Sequence, residues 1–489
     1  MNYRMVFLFT GRILMTLAAL MLVPLTCAII YGEALAPYLI PIAICLAIGL
    51  IFSIKAPKDR RFLPRDGFVC VGISWIVMSL FGCLPYIISG AIPSFVDAFF
   101  ESVSGFSTTG ASILSDVEAL PRGIKLWRCF TQWIGGMGVL VFMMAIMPSA
   151  DKGGASFTHL MKAEVPGPTV DKVVPRIADT ARIMYGIYIL LTALEFFFLL
   201  AGEMNIYEAL CHSASTAGTG GFGIMNDSIA SYSSYSQYVI AIFMLLFGTN
   251  FSVFFLILTG RFLRAIKCEE LWWYLGIVAA SVTVITLSVF RFFGAGSTHL
   301  QGEEAFRLAF FQVASIISTT GFSTTDYSIW PILTHVVIIT LTFSGACAGC
   351  TAGGIKISRL LLLAKNGRRE IRYILHPRAV MSVKLEGKKV DHEVIRGTTS
   401  FIITYASLFL ASTFLVTALD GCDLVTGFTS VATCLNNVGP GLGEVGPAGN
   451  FGGFTAISKL LLCLDMLLGR LEIFPILILF SPSTWKRYI

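Results

Sequence analysis

Ser107-Thr108-Thr109-Gly110 is the first of four short phrases that close on glycine, each set between long apolar stretches. The others are Gly218-Thr219-Gly220-Gly221, Ser318-Thr319-Thr320-Gly321 and Asn436-Asn437-Val438-Gly439, with closing glycines 100 to 118 residues apart. Aligned on that glycine, the phrases share more. Six residues earlier stand Ser104, Ser215, Ser315 and Thr433, and eleven earlier stand Phe99, Leu210, Phe310 and Phe428. A single loop of this kind is unremarkable, because small polar residues cluster by chance. Four in register predict an internal repeat, with four quarters of one chain closing around one axis.

The flanks say where that axis lies. Of 489 residues, 55% are hydrophobic and 13% charged, against roughly 25% charged in soluble domains. Stretches 13–31, 34–54, 67–94, 129–150, 228–260, 271–290, 327–355 and 397–419 contain no Asp, Glu, Lys or Arg, and 183–202 and 460–480 are apolar but interrupted by charges. About 20 apolar residues cross a bilayer as a helix. Ten spanning helices are therefore predicted, in an all-α polytopic membrane protein. The first run is long and a second follows at once, which reads as a retained hairpin rather than a cleaved signal peptide. Residues 1–66 form this two-helix preface. Units 67–150, 151–267 (with a cytoplasmic linker), 268–390 and 391–489 follow, each reading helix, short amphipathic segment, glycine phrase, helix. The short segments begin near Phe95, Ile206, Ala305 and Leu424 and are too short to cross. Irregular backbone at membrane depth is tolerated only where protein buries it or it lines a watery cavity.

The net charge of +6 follows topology rather than marking a nucleic-acid surface. Lysines and arginines gather in 55–65, 152–182, 261–267 and 356–396. The intervening connections carry Asp97, Asp116, Glu118, Glu203, Asp227, Glu303, Glu304, Asp326, Asp423 and Glu444. The positive-inside rule then puts both termini in the cytoplasm. An acidic outer mouth would concentrate cations. The twelve cysteines lie mostly in apolar segments, and the CxxC of Cys347 and Cys350 has no second pair to complete a zinc site. No HExxH, GxSxG or P-loop pattern points to an enzyme.

A glycine- and hydroxyl-rich loop on the axis suits a cation that must exchange its hydration shell for protein oxygens. Glycine lets the backbone turn its carbonyls inward and approach closely. The candidate ion path is Thr108, Thr109 and Gly110; Thr219, Gly220 and Gly221; Thr319, Thr320 and Gly321; Asn437, Val438 and Gly439. Glu101, His212, Gln312 and Ser430 share the position nine residues before the glycine and are expected to buttress the loops. Glu195, within a span, is expected to be a structural hydrogen-bonding residue. The Asn436-Asn437 of the fourth phrase, with Pro440 after it, predicts an asymmetric ring.

Two more stretches stand out. Ser344-Gly345-Ala346-Cys347-Ala348-Gly349-Cys350-Thr351-Ala352-Gly353-Gly354-Ile355-Lys356 places four glycines inside an apolar run. Each Gly weakens a helix by roughly 1 kcal/mol relative to Ala, although close small-residue helix packing accounts for the run equally well. Leu468-Gly469-Arg470-Leu471-Glu472-Ile473-Phe474-Pro475 puts an arginine deep in a helix, at an insertion cost of about 2.5–3.5 kcal/mol. Arg470 reads either as a structural ion-pair partner of Asp465 or a pore-helix acceptor, or as a positive charge beside the pore. Asp465 and Glu472 are its expected partners or interfacial residues.

With the four glycine phrases, these motifs make nearly the whole chain resemble TrkH-type subunits of the Trk/Ktr/HKT superfamily of bacterial, fungal and plant potassium transporters. The resemblance implies two N-terminal helices plus four pseudo-fourfold helix–pore-loop–helix units around a central ion pore in a bacterial inner membrane. It implies potassium as the ion, no organic cofactor, and Gly110, Gly221, Gly321 and Gly439 as selectivity glycines. It makes the broken helix of the third unit a gate, with Gly345, Gly349, Thr351, Gly353, Gly354 and Lys356 as gate residues, and puts Arg470 at the pore. It also implies a homodimer on a cytoplasmic ring of nucleotide-binding, TrkA-like regulators, with 356–396 as a docking surface. A sodium-permeable or sodium-coupled member of the superfamily stays open, although Gly110 stands where some plant relatives carry serine. A secondary carrier built of inverted repeats is a further alternative; here every unit begins on the same side.

Overall fold

The computed structural model describes residues 3–54, 64–138, 177–294, 301–378 and 381–485. The second half of the expected 129–150 span, most of the linker in 151–176 and the basic residues of 55–63 lie outside them. Two helices, Tyr3–Leu20 and Leu22–Tyr31, run on as one span, which turns at Gly32 (φ 68°) into Ala36–Ser53. The hairpin closes tightly because Gly11 faces Gly49: a Cβ at either would lie 2.8 Å from the other's carbonyl oxygen. Glu33, at its tip, accepts from the N–H groups of Arg122 (2.7 Å) and Gly123 (2.9 Å). An anion there complements the orphan amides of a helix start. The preface thus caps a helix of the first unit rather than standing apart.

Four units follow. Outer helices Pro64–Gly82, Ile177–Ala201, Glu269–Gly294 and His392–Asp420 precede pore helices Phe95–Phe106, Ile206–Gly218, Gly302–Ile317 and Leu424–Leu435. At 1.5 Å per residue a 12-residue pore helix is about 18 Å long, enough to reach the membrane middle and no further. Their starts are written in the sequence: Ser94 accepts from Asp97 N–H, Asn205 and Glu208 form a capping box, and Asp423 accepts from the N–H groups of Val425 and Thr426. The third begins at Gly302 rather than Ala305, because Glu303 and Glu304 occupy its first turn, where acids are favoured. Inner helices Arg122–Gly136, Ser234–Phe247, Ile332–Ser344 and Ala456–Arg470 complete the units. Each packs against the pore helix of the next unit, and the fourth packs against the first. This cyclic order is the pseudo-fourfold architecture.

Of the ten expected spans, the structure breaks three, one of them the third-unit helix for which the family resemblance implied a break. Among the described residues six helices are long and apolar enough to cross, and Ser234–Phe247 with Phe251–Leu258 is a pair bent by 93°. The stretches 228–260, 327–355 and 460–480 are each interrupted near the middle. In the second unit the break falls at Gly248-Thr249-Asn250. Asn250 Oδ1 recaps the chain by accepting from Ser252 N–H, and segment 345–356 supplies partners for the freed backbone: Cys347 N–H donates to Gly248 O (3.1 Å) and Phe251 N–H to Gly349 O (3.2 Å). A helix can break at membrane depth when neighbours re-satisfy its backbone in this way. In the fourth unit Glu472 (φ 53°) and Ile473 (φ 70°) end the helix, and Phe474–Phe480 restarts with Pro475 in its first turn. The all-α expectation holds apart from a hairpin pairing Lys384 with Lys389 and Leu385 with Lys388. Its turn residues Glu386 and Gly387 are both at positive φ, as a two-residue hairpin turn requires.

Candidate functional site: four loops around one axis

The four glycine phrases adopt one backbone conformation. The residue two before the glycine is left-handed in every unit: Thr108 at φ 57°, Thr219 at 53°, Thr319 at 56° and Asn437 at 55°. The glycines follow at 82°, 78°, 87° and 96°. Thr109, Gly220, Thr320 and Val438, between them, have negative φ. A left-handed residue other than glycine costs roughly 1–2 kcal/mol, and the pore helix offsets it. Thr109, Gly220, Thr320 and Val438 donate N–H to the carbonyls of Ser104 (2.9 Å), Ser215 (3.0 Å), Ser315 (2.8 Å) and Thr433 (2.8 Å). Thr108, Thr219, Thr319 and Asn437 bond likewise to the carbonyls of Gly105, Thr216, Ile316 and Cys434. Each loop is thus the C-cap of its pore helix. The conserved offset of six residues is a main-chain bond, and the hydroxyls at that position do different things: Ser215 Oγ donates to Gln132 Oε1 and Ser315 Oγ to Phe322 O.

The loops touch in cyclic order. A Cβ at Gly110 would strike Gly220 O, one at Gly221 would strike Thr320 O, and one at Gly321 would strike Val438 O; one at Gly439 would lie 2.7 Å from Thr109 O. Asn437 Nδ2 closes the ring by donating to Thr109 Oγ1 (2.9 Å). The four phrases are braced differently. Ser107 with Thr109, and Ser318 with Thr320, pair their hydroxyls at 2.7 Å, whereas Asn436 reaches out to Tyr405 (2.8 Å). On the face away from segment 345–356 a cavity of about 120 Å³ opens over Gly110, Gly221, Gly321 and Gly439. It has room for roughly four waters. Asp116, on the loop beyond, is held below the usual carboxylate range chiefly by the Asn226 amide (2.9 Å), and Asp423 chiefly by the Thr426 side chain.

Beneath the ring lies segment 345–356. Gly345, Gly349, Gly354 and Lys356 all have positive φ, at 61°, 69°, 76° and 75°. Gly345 and Gly354 approach so closely that a Cβ on Gly354 would lie 2.9 Å from Gly345 Cα. Gly353 N–H donates to Thr319 Oγ1 (2.8 Å), and Thr351 Oγ1 to Phe247 O (3.3 Å). The helix-packing reading of this stretch is replaced by a compact loop. Arg470 reaches the same place. Its Nη1 donates to Thr351 O (2.6 Å) and Thr108 Oγ1 (3.2 Å), its Nη2 to Gly136 O (2.6 Å) and Gly135 O, and its guanidinium lies over Trp75. One side chain thus joins a glycine phrase, the segment beneath it and the end of the first inner helix. The carboxylates expected beside it are engaged elsewhere. Asp465 accepts from Ser412 Oγ (2.9 Å), and Glu472 pairs with Lys356 (3.3 Å) and Arg359.

The shared position on the pore helices is less uniform than expected. Glu101 grips its own loop, accepting from Ser112 Oγ (3.0 Å), Ile113 N–H (3.1 Å) and Arg128 (2.7 Å). His212 meets Tyr232 Oη (3.1 Å). Ser430 turns back to Gly427 O, and the buried Gln312 amide has no hydrogen-bond partner among the described residues. Glu195 is fully buried; neither carboxylate oxygen has a partner at normal hydrogen-bond geometry among the described residues, and the Thr216 side chain is the polar group beside it. The Arg128–Glu101 pair is almost wholly buried, and Arg128 extends to Gly223 O and the Phe222 ring of the second unit. Arg128→Met should therefore lower stability by about 3–5 kcal/mol, because it strands a buried carboxylate. Adding Glu101→Leu should recover part of that loss, as read by thermal unfolding in detergent across the double-mutant cycle.

The TrkH family model, described as a cation transport protein, matches residues 39–487. The chain belongs to the TrkH family. It is 37% identical over 493 residues to the Trk system potassium uptake protein TrkH of Escherichia coli (strain K12), covering all of both chains. It is 37% identical to the Trk system potassium uptake protein TrkG of the same organism, over 95% of each. The crystal structure of the potassium transporter TrkH from Vibrio parahaemolyticus superposes with a TM-score of 0.88 at 32% identity, over 99% of this chain and 100% of that one. These relatives are transport proteins, and this TrkH-family chain is a membrane transporter rather than an enzyme.

Two residues of this TrkH-family site were missed in the sequence. Gln132, on the first inner helix, braces the second loop: Nε2 donates to Gly220 O (2.7 Å), while Oε1 accepts from Ser215 Oγ (2.6 Å) and Phe222 N–H (3.0 Å). Its one signal was an amide in an otherwise uncharged span. Glu270 accepts from the N–H groups of Ala348 (2.7 Å) and Ser358 (3.1 Å). As one of two adjacent acids at a helix start, it looked like an ordinary first-turn residue.

Proposed function

We propose that the chain conducts potassium across the bacterial inner membrane through a ring made by Thr108–Gly110, Thr219–Gly221, Thr319–Gly321 and Asn437–Gly439. The observation that carries this reading is the repeated left-handed turn of all four loops, closed in cyclic order over a narrow axis. Loop carbonyls on such an axis can replace an ion's hydration shell, and the capped pore helices turn their negative ends toward it, each favouring a cation by about 0.3–1 kcal/mol. The relatives' names, which specify potassium uptake, supply the ion. Segment 345–354 is the gate, with Gly345, Gly349, Thr351, Gly353, Gly354 and Lys356 setting its shape and Arg470 holding it from the pore side. Both termini and the basic connections lie in the cytoplasm. The functional unit is a homodimer on a nucleotide-binding, TrkA-like regulatory subunit, with 356–396 as the docking surface. The units divide near 66, 150, 267 and 390.

Purified protein in proteoliposomes should pass rubidium in preference to sodium. Flux of neither ion with the regulator present overturns the pore. Sodium flux equal to rubidium flux overturns the assignment of potassium in favour of the sodium-permeable alternative.

A further inference from the structure

Besides the pore arginine, the neighbouring main chain, Thr319 and Glu472 hold segment 345–356, and one further side chain grips both of its arms. That side chain is Glu270, in the first turn of the third outer helix and 5% exposed. A single oxygen, Oε1, accepts from Ala348 N–H at 2.7 Å on the entering arm and from Ser358 N–H at 3.1 Å on the leaving arm. Ile357 N–H to Ala346 O (3.0 Å) closes the same neck. Ser358 stands in the first turn of helix Ile357–Leu375, where N–H groups lack helical partners and an anion is favoured. The carboxylate therefore caps the helix leading into the basic segment and pins the loop at once. Lys356 and Arg359, on either side of that turn, are anchored separately by Glu472 of the fourth unit. The helix cannot move along its axis without parting Ser358 from Glu270, and the loop cannot widen without parting Ala348 from it.

We propose that Glu270 is the positioning residue that clasps the gate shut and makes its opening depend on displacement of helix Ile357–Leu375. This rests on reading 345–354 as the gate. A carboxylate accepting two backbone N–H groups makes charge-assisted bonds, stronger than neutral ones. Their loss should shift a closed–open balance by about tenfold or more.

The test is basal rubidium flux in proteoliposomes without regulator, run beside a chain shortened within 345–354. Glu270→Ala should leak about tenfold or more above wild type, with its rubidium-to-sodium ratio unchanged because the ring is untouched. Glu270→Gln keeps the accepting oxygen and should stay within a few-fold of wild type, which distinguishes a clasp from general loosening. A leak in the shortened chain with wild-type flux in Glu270→Ala overturns the clasp and leaves the gate standing. No leak in either overturns the gate reading as well. Loss of flux in a folded Glu270→Ala also overturns the clasp. If Glu270→Ala does not survive purification, Glu270→Asp decides. One methylene shorter, it cannot bridge both arms and should leak; wild-type flux there overturns the proposal.

Discussion

Gly221→Ser is expected to lower the rubidium-to-sodium flux ratio at least about tenfold. Two effects combine. Gly221 sits at φ 78°, where a residue with a Cβ costs roughly 1–2 kcal/mol. The added Cβ would also run into Thr320 O, a carbonyl of the neighbouring loop. Because that atom is backbone, relief requires the third loop to move, and its displacement passes to Gly321 and on to Val438 O. One substitution therefore changes the spacing of several of the carbonyls that would hold the ion. A shift of 1.4 kcal/mol in the difference between two ions is already a factor of ten. Gly186→Ser is the control: no atom lies within 4 Å of its added Cβ, and the flux ratio should not change. An unaltered ratio in Gly221→Ser would remove that glycine from the filter.

The same features explain what could be read in advance. The glycine phrases were legible because their requirement is local: a C-capped pore helix needs a left-handed residue and then glycine, and four copies fix the register. Pore-helix starts were legible for the same reason, through Ser94, Asn205 and Asp423. The breaks in the second and fourth inner helices were not. Gly248 has an ordinary helical φ of −74°, and what lets the chain part there is segment 345–356, about a hundred residues away. Gln132 and Glu270 escaped for a related reason, since both act mostly on main-chain groups, which leave no trace in side-chain identity. Arg470 was half legible. Its charge marked it, but sequence proximity suggested the wrong partners. Five residues back along a helix, Asp465 points about 140° away from Arg470, toward Ser412. Glu472 lies past the helix end, where its positive φ directs it to Lys356 and Arg359.

Arg470→Gln is expected to raise basal rubidium flux by about thirtyfold. The guanidinium lies against Thr108, two residues from the ring glycine, and against Thr351 of the proposed gate. A cation passing within about 8 Å of it meets roughly 2 kcal/mol of repulsion at an effective dielectric constant near 20. A barrier of that size slows passage about thirtyfold. Removing the fork also frees Thr351 O, Gly135 O and Gly136 O, so the gate loses its tie on the pore side. Arg470→Lys separates the two contributions, because it keeps the charge and cannot reproduce the fork geometry. Flux near wild type in the lysine variant assigns the effect to charge, whereas flux matching the glutamine variant assigns it to the tether. A folded Arg470→Gln that conducts no faster than wild type removes Arg470 from the control of the pore. Since Arg470 and Glu270 hold the loop through different groups, Thr351 O on one side and the N–H of Ala348 and Ser358 on the other, combining Arg470→Gln with Glu270→Ala should leak more than either change alone.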